Sequence, residues 1–226
     1  MAAACSPDGG LAGTTATPAT VDTAPTTTTI ADPTTASAPP RFEGGIELVD
    51  AKRLSHSWTD GCPVPPGELR LVKVTHRGFD GAVHRGELIV HHTHADGVLG
   101  VFRSLFSAGF PIEEMRPVGD FDESRLGSPG QNNTSGFNCR FIEGTTTWSE
   151  HAKGLAIDLN PQQNPFIDGT VIDPPEAERY VDRTLKDPGM IQPDDLVIRA
   201  FESIGWLWGG DWTSKKDYHH FSATGR

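Results

Sequence analysis

The chain has 226 residues and a formal net charge of −11, from 30 Asp and Glu against 19 Lys and Arg. With no basic cluster to override that sign, nothing would neutralise phosphates, which excludes a nucleic-acid binder. No apolar run reaches the ~18 residues of a membrane-spanning helix. The three cysteines are too few for a disulfide-built miniprotein and form no CxxC pair.

Residues 1–44 are dominated by Thr, Ala and Pro, and residues 1–40 carry no Lys or Arg. Such a stretch cannot offset its ordering entropy of about 1–2 kcal/mol per residue, so a disordered tether is expected there. Ala3-Ala4-Cys5-Ser6 has the form of a bacterial lipoprotein cleavage site, though without the charged and apolar regions that normally precede one. Lipid anchoring at Cys5 is therefore one reading, and a chance match in an Ala-rich stretch is the other. All five Trp, both Tyr and all eleven Phe lie beyond residue 40. Residues 45–226 then read as a single domain of about 180 residues, enough for one core.

Within that domain, Leu69–Thr75 reads as a strand, Asp80-Gly81 as a hairpin turn and Gly86–His92 as its partner strand. Asp96 is placed to cap a helix whose apolar residues Val98, Val101, Phe102, Leu105 and Phe106 recur at helical spacing, ending near Gly109. Pro111–Val118 reads as extended, Phe137–Phe141 and Leu155–Leu159 as short strands, and Pro174–Leu185 as weakly helical. Pro193 to Ile204 predicts a second helix, closed by Gly205. Trp206–Trp212 and Tyr218–Ser222 complete the chain as extended segments. Strands and helices do not alternate as βαβ units, so the fold class is α+β, a small antiparallel sheet backed by helices.

Two segments carry chemistry: Ser149-Glu150-His151-Ala152-Lys153-Gly154-Leu155-Ala156-Ile157-Asp158 and Asp217-Tyr218-His219-His220-Phe221. Imidazole nitrogens with a carboxylate oxygen form a set that zinc takes readily, with a position left for water. The spacing of His151 and Asp158 is too wide for one helix face and suits a turn that returns on a strand. Asp217 is placed to act as base beside such a metal, and Arg140 to offer a cation to a developing oxyanion.

At these residues the chain resembles the VanY-type zinc D-alanyl-D-alanine carboxypeptidases, through Ser149-x-His151-x-x-Gly154-x-Ala156-x-Asp158 and Asp217-x-x-His220-Phe221. Three further blocks resemble one bacterial branch of it: Asn132 to Arg140, Asn160-Pro161-x-x-Asn164-Pro165, and Gly205 to Trp212. The resemblance covers roughly residues 45–226. It implies the Hedgehog/DD-peptidase-like fold, with His151, Asp158 and His220 as zinc ligands and Asp217 as general base. It further implies that Arg140 faces the substrate carbonyl and that Ser149 helps to hold substrate. His219 adjoins His220; adjacent strand residues face opposite ways, and the Asp-x-x-His-Phe frame selects His220.

The resulting expectation is an exported monomeric zinc peptidase of the bacterial cell envelope acting on peptidoglycan stem peptides, removing terminal D-alanine. The neighbouring reading is an endopeptidase cutting L-alanyl-D-glutamate; the rival from another class is a non-catalytic wall-binding module. His91, His92 and His94 read as structural or surface residues. Trp206 and Trp208 share a face and default to the core, although the bend at Gly209-Gly210 makes Trp208 a candidate for the cleft wall. Cys62 and Cys139 pair as a disulfide if the chain is exported, or remain buried thiols if it is not.

Overall fold

The computed structural model describes residue 13 and residues 40–121 and 132–226. The expected anchor at Cys5 and almost all of the expected tether lie outside the described residues. Phe42, which composition assigned to the tether, packs its ring 5.7 Å from that of Phe106.

Strands β1 (Gly44–Leu48), β2 (Leu69–Arg77) and β3 (Val83–His91) form an antiparallel sheet in that order. The β2–β3 turn follows from Asp80 and Gly81: the Ala82 N–H donates to Asp80 Oδ1 at 2.9 Å, and Gly81 takes a φ of +76°. Helix α1 (Ala95–Ala108) follows directly. His94, not Asp96, stands at its start; Asp96 lies in the first turn, where its charge favours the positive helix end instead of capping it. Gly109, with φ +74°, closes the helix.

Two short strands, β4 (Glu114–Met115) and β5 (Asn133–Thr134), pair in parallel. The expected strand at Phe137–Phe141 is extended but joins no sheet. Its backbone instead splits among three partners, with Phe137 N–H on Ile89, Asn138 N–H on His151 and Cys139 N–H on Ser57. Then come β6 (Ala156–Asp158) and a hairpin of β7 (Phe166–Asp168) and β8 (Val171–Asp173), which the sequence did not announce. Helix α2 (Leu196–Glu202) starts later than Pro193 suggested, because the Asp195 side chain accepts from the Ile198 N–H and caps it there. Finally β9 (Leu207–Trp208), β10 (Lys216–Asp217) and β11 (His220–Ser222) complete two small sheets, ordered β6-β11-β9 and β10-β7-β8.

The core forms where one face of the first sheet meets both helices and the β6–β11 pair. Val72, Val74, Leu88 and Val90 meet Val98, Val101, Phe102 and Leu105 of α1, together with Phe201, Ile157 and Phe221. Phe201 stacks on Phe221 with centroids 4.0 Å apart. On the sheet's other face, Leu69, Leu71 and Ile89 join Leu54, Val64 and Phe137 in a second cluster. Ile157 and Phe221 are register partners pointing into the core. Side chains alternate along strands, so their neighbours Asp158 and His220 project together to the opposite side.

Candidate metal centre

Asp158 and His220 are themselves register partners, and Asp158 Oδ1 lies 3.0 Å from His220 Nδ1. His151 reaches them from a tight turn over Glu150–Lys153. Ser149 caps that turn by accepting the His151 N–H at 3.3 Å. Gly154 ends it with φ +68°, where a Cβ would stand 2.6 Å from the His91 nitrogen. Only glycine combines that conformation with that approach.

His151 Nε2 lies 3.1 Å from Asp158 Oδ2 and 3.3 Å from His220 Nδ1. Both imidazoles have their other nitrogen engaged: His151 Nδ1 is 2.7 Å from the Gly136 carbonyl and His220 Nε2 is 2.9 Å from the Arg226 backbone oxygen. A carbonyl only accepts, so each of those nitrogens carries the proton. The remaining nitrogen of each ring therefore faces the other ring and a carboxylate, an arrangement that favours a positive charge between them, whether a proton or a metal cation. Four-coordinate zinc with ligands at about 2.0–2.1 Å sets neighbouring donors about 3.3 Å apart; the two ring nitrogens stand 3.3 Å apart, and one donor atom from each of the three residues lies within 4.8 Å of the others. His151, Asp158 and His220 are thus geometrically compatible with a single zinc ion, and they are the one such cluster among the described residues. The backbone oxygens behind the two rings fix their tautomers, as is usual behind metal-bound histidines.

The electrostatics agree. Burial alone would raise the Asp158 carboxyl, but His151, His219 and His220 outweigh it and hold it well below the ordinary carboxylate range. Burial opposes charge on His219 too, yet Asp217 and Asp158 push its imidazole up to about 9. His220 is raised in the same way against its burial, by Asp158 first and then Asp217.

Residues 143–223 match the family model described as D-alanyl-D-alanine carboxypeptidase. The matched segment holds Ser149, all three candidate ligands and Asp217, while Arg140 and Cys139 precede it. No curated protein and no solved structure matches the chain.

Around the candidate ligands, Asp217 ends β10. Its Oδ1 is 3.0 Å from His219 Nε2 but out of hydrogen-bond alignment, so this buried oxygen has no hydrogen-bond partner among the described residues. His219 Nε2 is 3.8 Å from Asp158 Oδ1, and His219 Nδ1 donates to the Asn164 carbonyl at 2.8 Å. His219 thus flanks the cluster without joining it. Asn164, in the Asn160-to-Pro165 block, is a hydrogen-bonding hub behind His219. Its Nδ2 donates to Gly189 at 2.9 Å, and its Oδ1 accepts from the Ile191 N–H at 2.7 Å and from Arg183 at 3.1 Å.

Arg140 is exposed, and its carbonyl accepts the Ser149 N–H at 3.1 Å. Trp208, a candidate for the cleft wall, is instead a core residue. It is 4% exposed, and its indole N–H is used on the Tyr218 carbonyl at 2.8 Å, so no ring face remains for a ligand. Trp212 is the tryptophan beside the metal cluster, with its ring centroid 5.6 Å from that of His220. Cys62 and Cys139 are disulfide-bonded, with Cα atoms 5.8 Å apart. His91 contacts Thr93 and Glu68, and His94 accepts the Trp206 indole N–H at 2.9 Å. No described helix is long and apolar enough to cross a membrane.

Proposed function

We propose that this protein is a zinc metallopeptidase that removes terminal D-alanine from peptidoglycan stem peptides. The observation that carries this reading is the convergence of His151, Asp158 and His220 inside the carboxypeptidase-family segment, with a carboxylate beside them. When bound by the three ligands, zinc would supply Lewis-acid polarisation and an activated water. The chain's own residues supply the rest. Asp217, whose Oδ1 lies 3.0 Å from His219 Nε2 at the flank of the cluster, takes the proton from the attacking water and returns it to the departing amine. Arg140 offers a guanidinium to the oxyanion and to the substrate carbonyl. Ser149 holds the turn that presents His151 and lies at the substrate's edge.

The disulfide between Cys62 and Cys139 supports export, because such bonds persist in oxidising compartments. We place the enzyme in the bacterial cell envelope as a monomer, with Cys5 as the site of lipid attachment. Mass spectrometry of muropeptides digested by the zinc-loaded protein tests the function. Loss of one alanine from pentapeptide stems is expected. Release of a fragment beginning with D-glutamate would replace this reading with the endopeptidase, and intact muropeptides that nonetheless bind would replace it with the wall-binding module.

A further inference from the structure

Between Arg140 and Ser149 the chain makes a hairpin at the edge of the metal centre. The Ile142 N–H donates to the Thr147 carbonyl at 2.9 Å, and Phe141 bridges to Trp148 across the hairpin. The two rings stack with centroids 3.9 Å apart and planes at 24°. The core does not account for this pair: Phe141 is 44% exposed, and neighbouring Ile142 is 40% exposed. The indole N–H groups of Trp58, Trp206, Trp208 and Trp212 each donate to a protein acceptor, whereas that of Trp148 has none among the described residues.

Reach and charge decide what such a platform takes. Trp148 precedes His151 closely enough that their Cα atoms lie within about 11 Å. An extended peptide advances about 3.3–3.6 Å per residue, so a group on the stack belongs at most about three residues from the bond at the metal. That span is too short for the sugar of a stem cut at its far end. The hairpin also carries exposed Glu143. Burial pushes the Asp173 carboxyl of β8 up, the charges of Asp217 and Glu143 raise it further, and those of His219 and Arg140 lower it. Aromatic faces beside carboxylates suit an ammonium carried on an aliphatic stem.

We infer that the Phe141–Trp148 stack with Glu143 is the subsite for the cationic diamino-acid side chain that lies two residues before the bond to be cut. This rests on the carboxypeptidase reading, and its test separates the two. The zinc-loaded full chain is given pentapeptide stems with either lysine or Nε-acetyl-lysine at the third position. Cleavage is followed by kcat/KM, and binding of the matching tetrapeptide products by calorimetry. Acetylation is expected to weaken both by about twofold to thirtyfold, through KM and not kcat. Trp148→Ala should shrink the ratio between the two peptides toward one. Glu143→Gln, on an exposed turn that tolerates the change, should shrink it in part. Equal handling of the two peptides by the wild type, or an undiminished ratio in both variants, overturns the subsite. So does a binding gain from an N-acetylmuramoyl cap that Trp148→Ala removes, which would assign the platform to the sugar. Lysine discrimination in binding without any cleavage overturns the carboxypeptidase and keeps the subsite; failure to bind any stem peptide overturns both.

Discussion

Asp158 and His220 stand directly opposite each other in adjacent antiparallel strands, 3.0 Å apart at Oδ1 and Nδ1. Their register is fixed by the neighbouring pair Ile157 and Phe221, both fully buried. A slip of one residue would turn the ligands into the apolar core and the core pair away from it, so the hydrophobic pattern itself holds the metal geometry. Asp158→Asn keeps the shape and removes the charge, and His220→Ala removes a donor. Both are expected to purify with far less zinc than the wild type, measured by elemental analysis. His219→Ala should retain it, because His219 is turned to Asp217 and Asn164. Zinc lost from His219→Ala and kept by His220→Ala would reverse the assignment.

Asp217 is separated from the ligand set by its role as well as its place. Asp217→Asn should bind zinc as the wild type does while kcat falls by about 10²–10⁴-fold, the usual worth of a positioned acid–base group. A parallel loss of zinc would make Asp217 a ligand or a scaffold residue, and unchanged kcat would remove it from the mechanism.

The ligands were legible in the sequence because a cation site fixes residue type and spacing together. The α1 core face was legible because period is all a buried helix needs. Much less of the support was. Asn164 works through five hydrogen bonds to backbone or Arg183 and one from His219, and an isolated Asn in a loop has no periodic signature. Gly136 acts through its carbonyl, which any residue possesses. The β7–β8 hairpin is only three residues long on each side and half exposed, so alternation had nothing to repeat. Trp208 was misplaced by the Gly-Gly bend: Gly210 packs against its ring, where a Cβ would come within 2.3 Å, so the glycine holds the indole in the core and does not swing it outward.

Gly209 shows how closely β10 and β11 are held. A Cβ there would stand 2.6 Å from the Asp217 carbonyl oxygen and 3.3 Å from His220 Cβ. Backbone cannot yield as a flexible side chain can, so Gly209→Ala should move both Asp217 and His220. Zinc affinity is expected to fall about tenfold or more, the scale of a disturbed support shell, with kcat falling as well. Gly45→Ala, at a position with open space, is the control and should change neither. Wild-type affinity in Gly209→Ala, by competition with a chelator, would show that the strand relaxes freely.

The disulfide ties the segment bearing Arg140 to a partner 77 residues earlier. Loop-closure entropy for that separation is worth about 4 kcal/mol. The Cys62→Ser, Cys139→Ser double variant should show a urea midpoint lowered accordingly, with zinc still bound. A midpoint equal to that of the wild type would mean that the Cys139 N–H bond to Ser57 already fixes the segment.

A pH response resides away from the metal, at His76. Burial first, and the charge of His84 beside it, hold its imidazole below the ordinary 6.5, against the opposing pull of the Arg77 and Ile112 backbone and, least, of Asp80. The rings of His76 and His84 stack 5.6 Å apart, and His84 lies 3.0 Å from Asp80. The folded protein thus resists a proton that the unfolded chain accepts near pH 6.5, and the unfolded state binds more protons below that value. Stability from this site is complete above about pH 6.5 and is lost as pH falls through the lower, folded value. His76→Gln should flatten that fall. Acid also releases metal from the histidine ligands, so the informative quantity is the variant's urea midpoint minus that of the wild type, at about pH 7.5 and about pH 5.5. The difference should move in the variant's favour on acidification; a constant difference would show that His76 takes its proton as readily folded as unfolded.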